Sequence, residues 1–216
     1  MCRDAACSSR SAPPALRPWQ GCRSRPALRR SVPRQARPRR RSSKTAAEAD
    51  ALEAVVARLI PTDENGSGAA EARAAHYIDR ALAGPLRSSR EAYAAGLAAL
   101  DVYAQSKDGA LFARLSAPDQ DAILADMEKN VATGFVPNAA TFFNLVRAHT
   151  IQGTFCDPYY GGNANFVGWD MIGYPGIRVA VSEDEQRMSP KPRPVRKSAY
   201  DDPMFTLKGG GHGHQP

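Results

Sequence analysis

From about residue 46, apolar positions recur in five successive segments with the 3.6-residue period of a helix. Over about Ala46 to Ile60, Leu52, Val55, Val56, Leu59 and Ile60 form one stripe. Pro61 ends it, because the residue before a proline is pushed out of the helical region. Over about Ala69 to Leu82 the stripe is Ala74, Tyr77, Ile78, Ala81 and Leu82, and Gly84-Pro85 stops it. The third segment, about Ser89 to Ser106, starts on a serine cap and carries Tyr93, Leu97, Leu100 and Ala104 on one side. Leu111, Phe112 and Leu115 make a short apolar bridge. Ser116-Ala117-Pro118-Asp119 then reads as a helix start, with a serine cap and with proline and an acid in the first turn. That helix, Ala117 to about Val131, buries Ile123, Leu124, Met127 and Val131. Pro137-Asn138 opens the last, about Pro137 to Gln152, with Phe142, Phe143, Val146, His149 and Thr150 on one face. No segment alternates apolar and polar residues as a strand would. The pattern predicts an all-α fold, a small bundle of about five helices.

The period disappears at the next stretch, Phe155 to Gly176, which reads FCDPYYGGNANFVGWDMIGYPG. Glycines this dense mean turns or close backbone approach. The interleaved aromatics mean a loop that packs, and a long ordered loop is commonly functional. Tyrosine and tryptophan dominate interface energetics once desolvated. The candidate partner interface is therefore Phe155, Cys156, Asp157, Tyr159, Tyr160, Trp169 and Tyr174. Pro158, Gly161, Gly162, Asn163, Gly168, Gly173, Pro175 and Gly176 are assigned to loop structure, with Asp157-Pro158 fixing the first turn and Asn163 bonding the loop backbone. His149 is assigned to structure as well, hydrogen-bonded to Asp157 or to a carbonyl and holding the last helix to the loop. Acid–base chemistry is the other reading of that histidine.

Charge divides the chain. Residues 1–45 hold 13 Lys and Arg against one acid, Asp4, whereas the remainder holds 16 basic and 21 acidic residues. The sequence pI of about 9.5 thus comes from the tail. A DNA-binding domain carries its basic residues on a folded face, so nucleic acid is not an expected partner of the helical part. Residues 1–45 are rich in Arg, Ser, Pro and Ala, bury too little to offset ordering entropy, and are expected to be disordered. Three readings of them stand open: a degenerate twin-arginine export signal at Arg39-Arg40-Arg41-Ser42-Ser43-Lys44, an arm for nucleic acid or anionic lipid, or a solvated tail or upstream extension from a misplaced start site. No apolar h-region follows the arginines, and no apolar run is long enough to span a membrane. Residues 46–180 form the helical domain, and residues 181–216 an extended flexible tail.

Catalytic machinery is not visible. No phosphate-cradling glycine motif follows a strand, and Gly161-Gly162 follows a helix. Cys2, Cys7, Cys22 and Cys156 have no zinc spacing. Cys156, alone in the domain, reads as a partly buried thiol or as half of a disulfide to a partner subunit. Thr62 to Gly68 has the acid content of a calcium loop without its alternating ligands. The histidines near the C-terminus, His212 and His214, lack the supporting residues of a built metal site. No cofactor is expected on this chain. Asp79 and Asp101 read as hydrogen-bond partners.

The Phe155–Gly176 stretch resembles the signature of the gluconate 2-dehydrogenase subunit 3 family, whose members carry a phrase close to EG-x-F-x-DP-x-YGGN followed by GW-x-x-IG-(F/Y)-PG. Arg58-Leu59-Ile60-Pro61-Thr62-Asp63, Tyr77-Ile78-Asp79, Gly96 to Asp101 and Arg147-Ala148-His149-Thr150 match earlier blocks, so the resemblance covers roughly residues 50 to 180. Gln152 stands where the family usually has Glu, keeping a hydrogen bond and losing a charge. The resemblance implies a non-catalytic small subunit of a membrane-associated complex. In such a complex, a large subunit of the glucose–methanol–choline type carries FAD and oxidises a sugar or sugar acid. A c-type cytochrome subunit takes the electrons through haem c. It also implies the periplasmic face of the inner membrane, reached through the complex. Two other classes remain: a stand-alone helical binding module that has lost its large partner, and a nucleic-acid binder acting through the basic tail.

Overall fold

The structure is a computed structural model describing residues 45–64, 66–187 and 193–206. The expectations placed on residues 1–44 and on His212 and His214 lie outside the described residues. Seven α-helices and several single 3₁₀ turns make up the described fold, and no strand is present among the described residues. Helix α1 is Ala46–Leu59, α2 Ala74–Leu82, α3 Arg90–Asp108, α4 Ala117–Glu128 and α5 Ala139–Phe155. Two short helices, α6 (Val167–Met171) and α7 (Pro203–Thr206), follow. No helix among the described residues is long and apolar enough to cross a membrane.

Local chemistry sets most boundaries. Thr45 and Glu48 close a capping box on α1: the Glu48 amide donates to Thr45 Oγ1 at 3.3 Å, and the Thr45 amide to Glu48 Oε2 at 2.6 Å. The chain leaves helical geometry at Ile60, before Pro61. Helix α4 starts on the Ser116 cap with proline in its first turn, and the Asn138 side chain caps α5 by accepting from the Thr141 amide at 2.9 Å.

Four boundaries differ from the periodicity reading. Residues 69–73 form turns, and α2 begins only after Arg73, which sits in the left-handed region at φ 59°. Glu71 holds this turn by accepting from Thr62 Oγ1 at 2.6 Å and from the Gly68 amide at 3.1 Å. Those bonds hold its carboxyl below the usual range, Thr62 contributing most. Ser89 ends a 3₁₀ turn, and its side chain makes no capping bond to α3. Helix α4 stops at Glu128, Asn130 turns the chain at φ 59°, and Val131 is 60 % exposed, not buried. Helix α5 runs through Phe155, one turn past its expected end.

One core unites α1 to α5. Leu52, Val55 and Val56 of α1, Ile78 and Leu82 of α2, Leu97 and Leu100 of α3, Ile123 and Met127 of α4 and Val146 of α5 are almost fully buried. Tyr93 lies among them with its ring edge-on to Phe142, centroids 5.9 Å apart. On the surface of this bundle, Arg58 of α1 donates to both oxygens of Asp121 on α4, at 2.7 and 2.6 Å.

Candidate functional site

The stretch after α5 folds as a compact unit on the end of the bundle. Its centre is Asn163, fully buried and left-handed at φ 44°. The Asn163 amide donates to the Gly153 carbonyl at 2.9 Å, and its Nδ2 donates to the Cys156 carbonyl at 2.8 Å. Its Oδ1 accepts from the Gly168 amide at 2.8 Å. One asparagine thus ties the last turn of α5 to both halves of the loop. Asparagine suits the position because its short amide tolerates left-handed backbone and bonds locally.

Two glycines permit this closure. A Cβ on Gly162 would stand 2.0 Å from the Gly153 carbonyl oxygen, and a Cβ on Gly168 would stand 2.0 Å from that of Thr154. Both contacts are with backbone, which cannot swing aside. The loop therefore lies directly on the end of α5 with no side chain between. Asn165 and Phe166 also adopt positive φ, at 55° and 64°. Left-handed backbone costs a non-glycine residue roughly 1–2 kcal/mol, so the surrounding bonds hold a conformation the chain would not take alone.

Trp169 on α6 is the loop's own core. It is 6 % exposed, its indole N–H donates to the Phe155 carbonyl at 2.9 Å, and it packs against Phe166 and Tyr174 at centroid distances of 5.3 and 4.9 Å. In this conformation the tryptophan supports the loop from inside. The loop's solvent-facing apolar side chains are Tyr159, Tyr160, Ile172 and Tyr174, between 38 % and 58 % exposed. Phe155 is half-buried.

Asp157 caps the 3₁₀ turn Pro158–Tyr160, accepting from the Tyr159 amide at 2.9 Å. The same carboxylate accepts from Ser198 Oγ at 2.6 Å and from the Ala199 amide at 2.9 Å. Residues 195–200, within the stretch expected as extended tail, therefore lie against the loop. Tyr200 stacks on Tyr159 with centroids 3.8 Å apart and shares a 2.7 Å hydroxyl hydrogen bond with Tyr160. That bond, with burial second, pushes the Tyr160 phenol up to about 12.

Helix α2 and the turn before it anchor the other side. His76 Nδ1 lies 2.9 Å from the Gly161 carbonyl, Arg80 Nη1 donates to the Tyr159 carbonyl at 3.1 Å, and the Ala164 amide donates to Ala72 O at 3.1 Å. The sequence reading did not single out His76 or Arg80. Their spacing of four residues places both on one helix face, the one signal that could have paired them. Gln152 accepts from Tyr77 Oη at 3.4 Å.

His149 is not joined to Asp157. It lies inside the bundle, 7 % exposed, sharing a 3.0 Å hydrogen bond between Nδ1 and Tyr93 Oη, and burial lowers its pKa. It braces α3 against α5 and leaves the loop to Asn163. Asp101 accepts from the Phe112 amide at 3.1 Å. Cys156 is half-buried, with Sγ donating to the Gly153 carbonyl at 3.6 Å, and burial pushes its thiol pKa up, away from the reactive thiolate.

No group of three or more His, Cys, Asp or Glu side chains gathers as metal ligands among the described residues. A groove of about 440 Å³ lies between the end of α1 and helices α4 and α5, with the Arg58–Asp121 pair on its wall. What the loop offers is a preformed surface: exposed tyrosines on a backbone held by buried bonds.

The sequence model of the family described as Gluconate 2-dehydrogenase subunit 3 matches residues 46–176, more than half of the chain, and ends on the loop's last glycine. No curated protein and no solved structure matches the chain.

Proposed function

The chain belongs to the gluconate 2-dehydrogenase subunit 3 family, and from that membership we propose that it is the non-catalytic small subunit of a flavin dehydrogenase complex. In this reading it binds and supports a large FAD-carrying subunit of the glucose–methanol–choline type. That subunit oxidises a sugar or sugar acid and passes electrons to a c-type cytochrome subunit. The complex sits at the periplasmic face of the membrane. FAD and haem c belong to the partners.

The observation that carries the reading is the loop. A strained, glycine-dependent backbone is held rigid, and tyrosines are left exposed upon it. Rigid aromatic side chains bind with a small ordering cost, because little freedom remains to lose. The family match covering bundle and loop together supports the same conclusion. So does the site chemistry: the buried His149 braces the core, and the loop cysteine is held as a thiol.

Co-expression with the flavoprotein encoded nearest to this chain tests the proposal. The expected result is co-purification of the two, with flavoprotein yield or dye-linked sugar oxidation falling when this chain is omitted. A flavoprotein fully active alone, beside a stable monomer of this chain, would leave a stand-alone binding module as the better description.

A further inference from the structure

Residues 193–201 run along the loop, meeting it at four places and meeting Arg178, just beyond it, at a fifth. Arg178 Nη2 donates to the Arg193 carbonyl at 2.8 Å, and the Val195 amide donates to the Pro175 carbonyl at 2.7 Å. Arg196 pairs with Asp170 at 2.7 Å. Ser198 and Ala199 both donate to Asp157, and Tyr200 covers Tyr159 and bonds Tyr160. Ser198 is 7 % exposed, so the contact excludes water at its centre.

Gly176 adds an observation from the loop's side. It has φ 89°, and a Cβ there would stand 2.1 Å from the Val195 carbonyl oxygen. A residue inside the family-matched segment is therefore shaped to admit a segment outside it. Asp157 behaves alike: one bond serves its own turn and two serve the returning chain.

We propose that residues 193–201 are a built-in clamp that holds the glycine–aromatic loop in its ordered form, with Ser198 and Tyr200 as the gripping residues. The loop spends free energy on left-handed Asn163, Asn165 and Phe166, and α2 holds only the backbone of its Tyr159–Tyr160 turn, leaving both tyrosine rings outside the bundle core. The clamp supplies what that turn lacks: a ring stacked on Tyr159, a partner for the Tyr160 hydroxyl, and two donors for Asp157. On the subunit reading above, the clamp presents the tyrosines to the large subunit already ordered, with Tyr200 part of the surface it meets.

Amide hydrogen exchange tests the clamp without any partner, so failure of the subunit reading leaves this test standing. Three proteins are compared: the full chain, a chain ending at Arg187, and the full chain with Ser198→Ala and Tyr200→Ala. In both variants the amides of Tyr159, Tyr160 and Gly161 exchange faster by about tenfold or more, and those of α1 to α5 keep their protection. Unchanged loop exchange in the double variant overturns the proposal, including where the shortened chain loses its helical core. A large subunit that binds the shortened chain more tightly than the full one also overturns it, since the segment would then be a cover competing for the loop.

Discussion

The helical bundle and the glycine–aromatic loop reach order by opposite means. In the bundle, Leu52, Ile78, Leu100 and Ile123 are sealed from water, and area removed from water supplies the stability. In the loop, one buried asparagine and one carboxylate satisfy the backbone, and two glycines let it touch α5 directly. Burial is non-directional, so a core accepts many side chains of suitable volume. Hydrogen bonds and backbone contact are directional, so the loop accepts almost none at Gly162, Asn163 or Gly168. A non-directional core makes the bundle a stable platform, and a directional loop gives one surface a fixed shape.

The largest expected effect separates the two. Leu100→Ala in α3 should cost about 2–5 kcal/mol of global stability, read as a lower midpoint in denaturant unfolding, with loop and bundle melting together. Asn163→Ala comes next. It leaves the buried Gly168 amide without its partner, at about 1–3 kcal/mol, while the part-buried Cys156 carbonyl can turn to water. Hydrogen exchange should show the loop opening while α1 to α5 keep their protection. If Asn163→Ala instead lowers the global midpoint as far as Leu100→Ala, the two regions are one cooperative unit and the contrast fails.

The smallest effect is a pH dependence confined to the bundle. Burial lowers the His149 pKa, so folding favours the neutral imidazole. Its contribution is fully present above about pH 6.5, the ordinary imidazole value, and is lost as pH falls through the lowered folded value. Glu71 and Asp121 have lowered carboxyls through their hydrogen bonds to Thr62 and Arg58. Their contributions persist above the ordinary carboxylate range, about pH 4, and fade only below it. Urea midpoints between pH 5 and 7 should therefore fall with acid in the parent chain and stay flat in His149→Phe.

The same contrast explains what could be read in advance. Periodicity reports burial, and the five bundle helices and their core stripes were legible, as was the all-α class. It failed where a directional bond decides the outcome. Ala69, Ala70 and Ala72 fit a helix as well as a turn, and Glu71 chose the turn by accepting from Thr62 and Gly68. Val131 continued the α4 stripe in sequence, but left-handed Asn130 turned it outward. In the loop, glycines and aromatics announced an ordered segment by composition. Its anchors His76 and Arg80, its clamp at Ser198 and Tyr200, and the inward placement of Trp169 are tertiary facts with no period. His149 illustrates the limit: its neighbours in sequence pointed to Asp157, while its place on the helix put it against Tyr93.

The central claim is that the loop's tyrosines are the surface the large subunit binds. The direct measurement is the affinity of the purified flavoprotein for three full-length chains: the parent, a Tyr159→Ser/Tyr160→Ser/Tyr174→Ser variant, and a Val102→Ser control. Val102 is an apolar residue of α3, 66 % exposed and outside the loop. The account predicts that the triple variant weakens binding by about 30-fold or more, the loss of a desolvated aromatic anchor, while Val102→Ser binds like the parent. Equal affinity for the triple variant and the parent, or a loss confined to Val102→Ser, would contradict it.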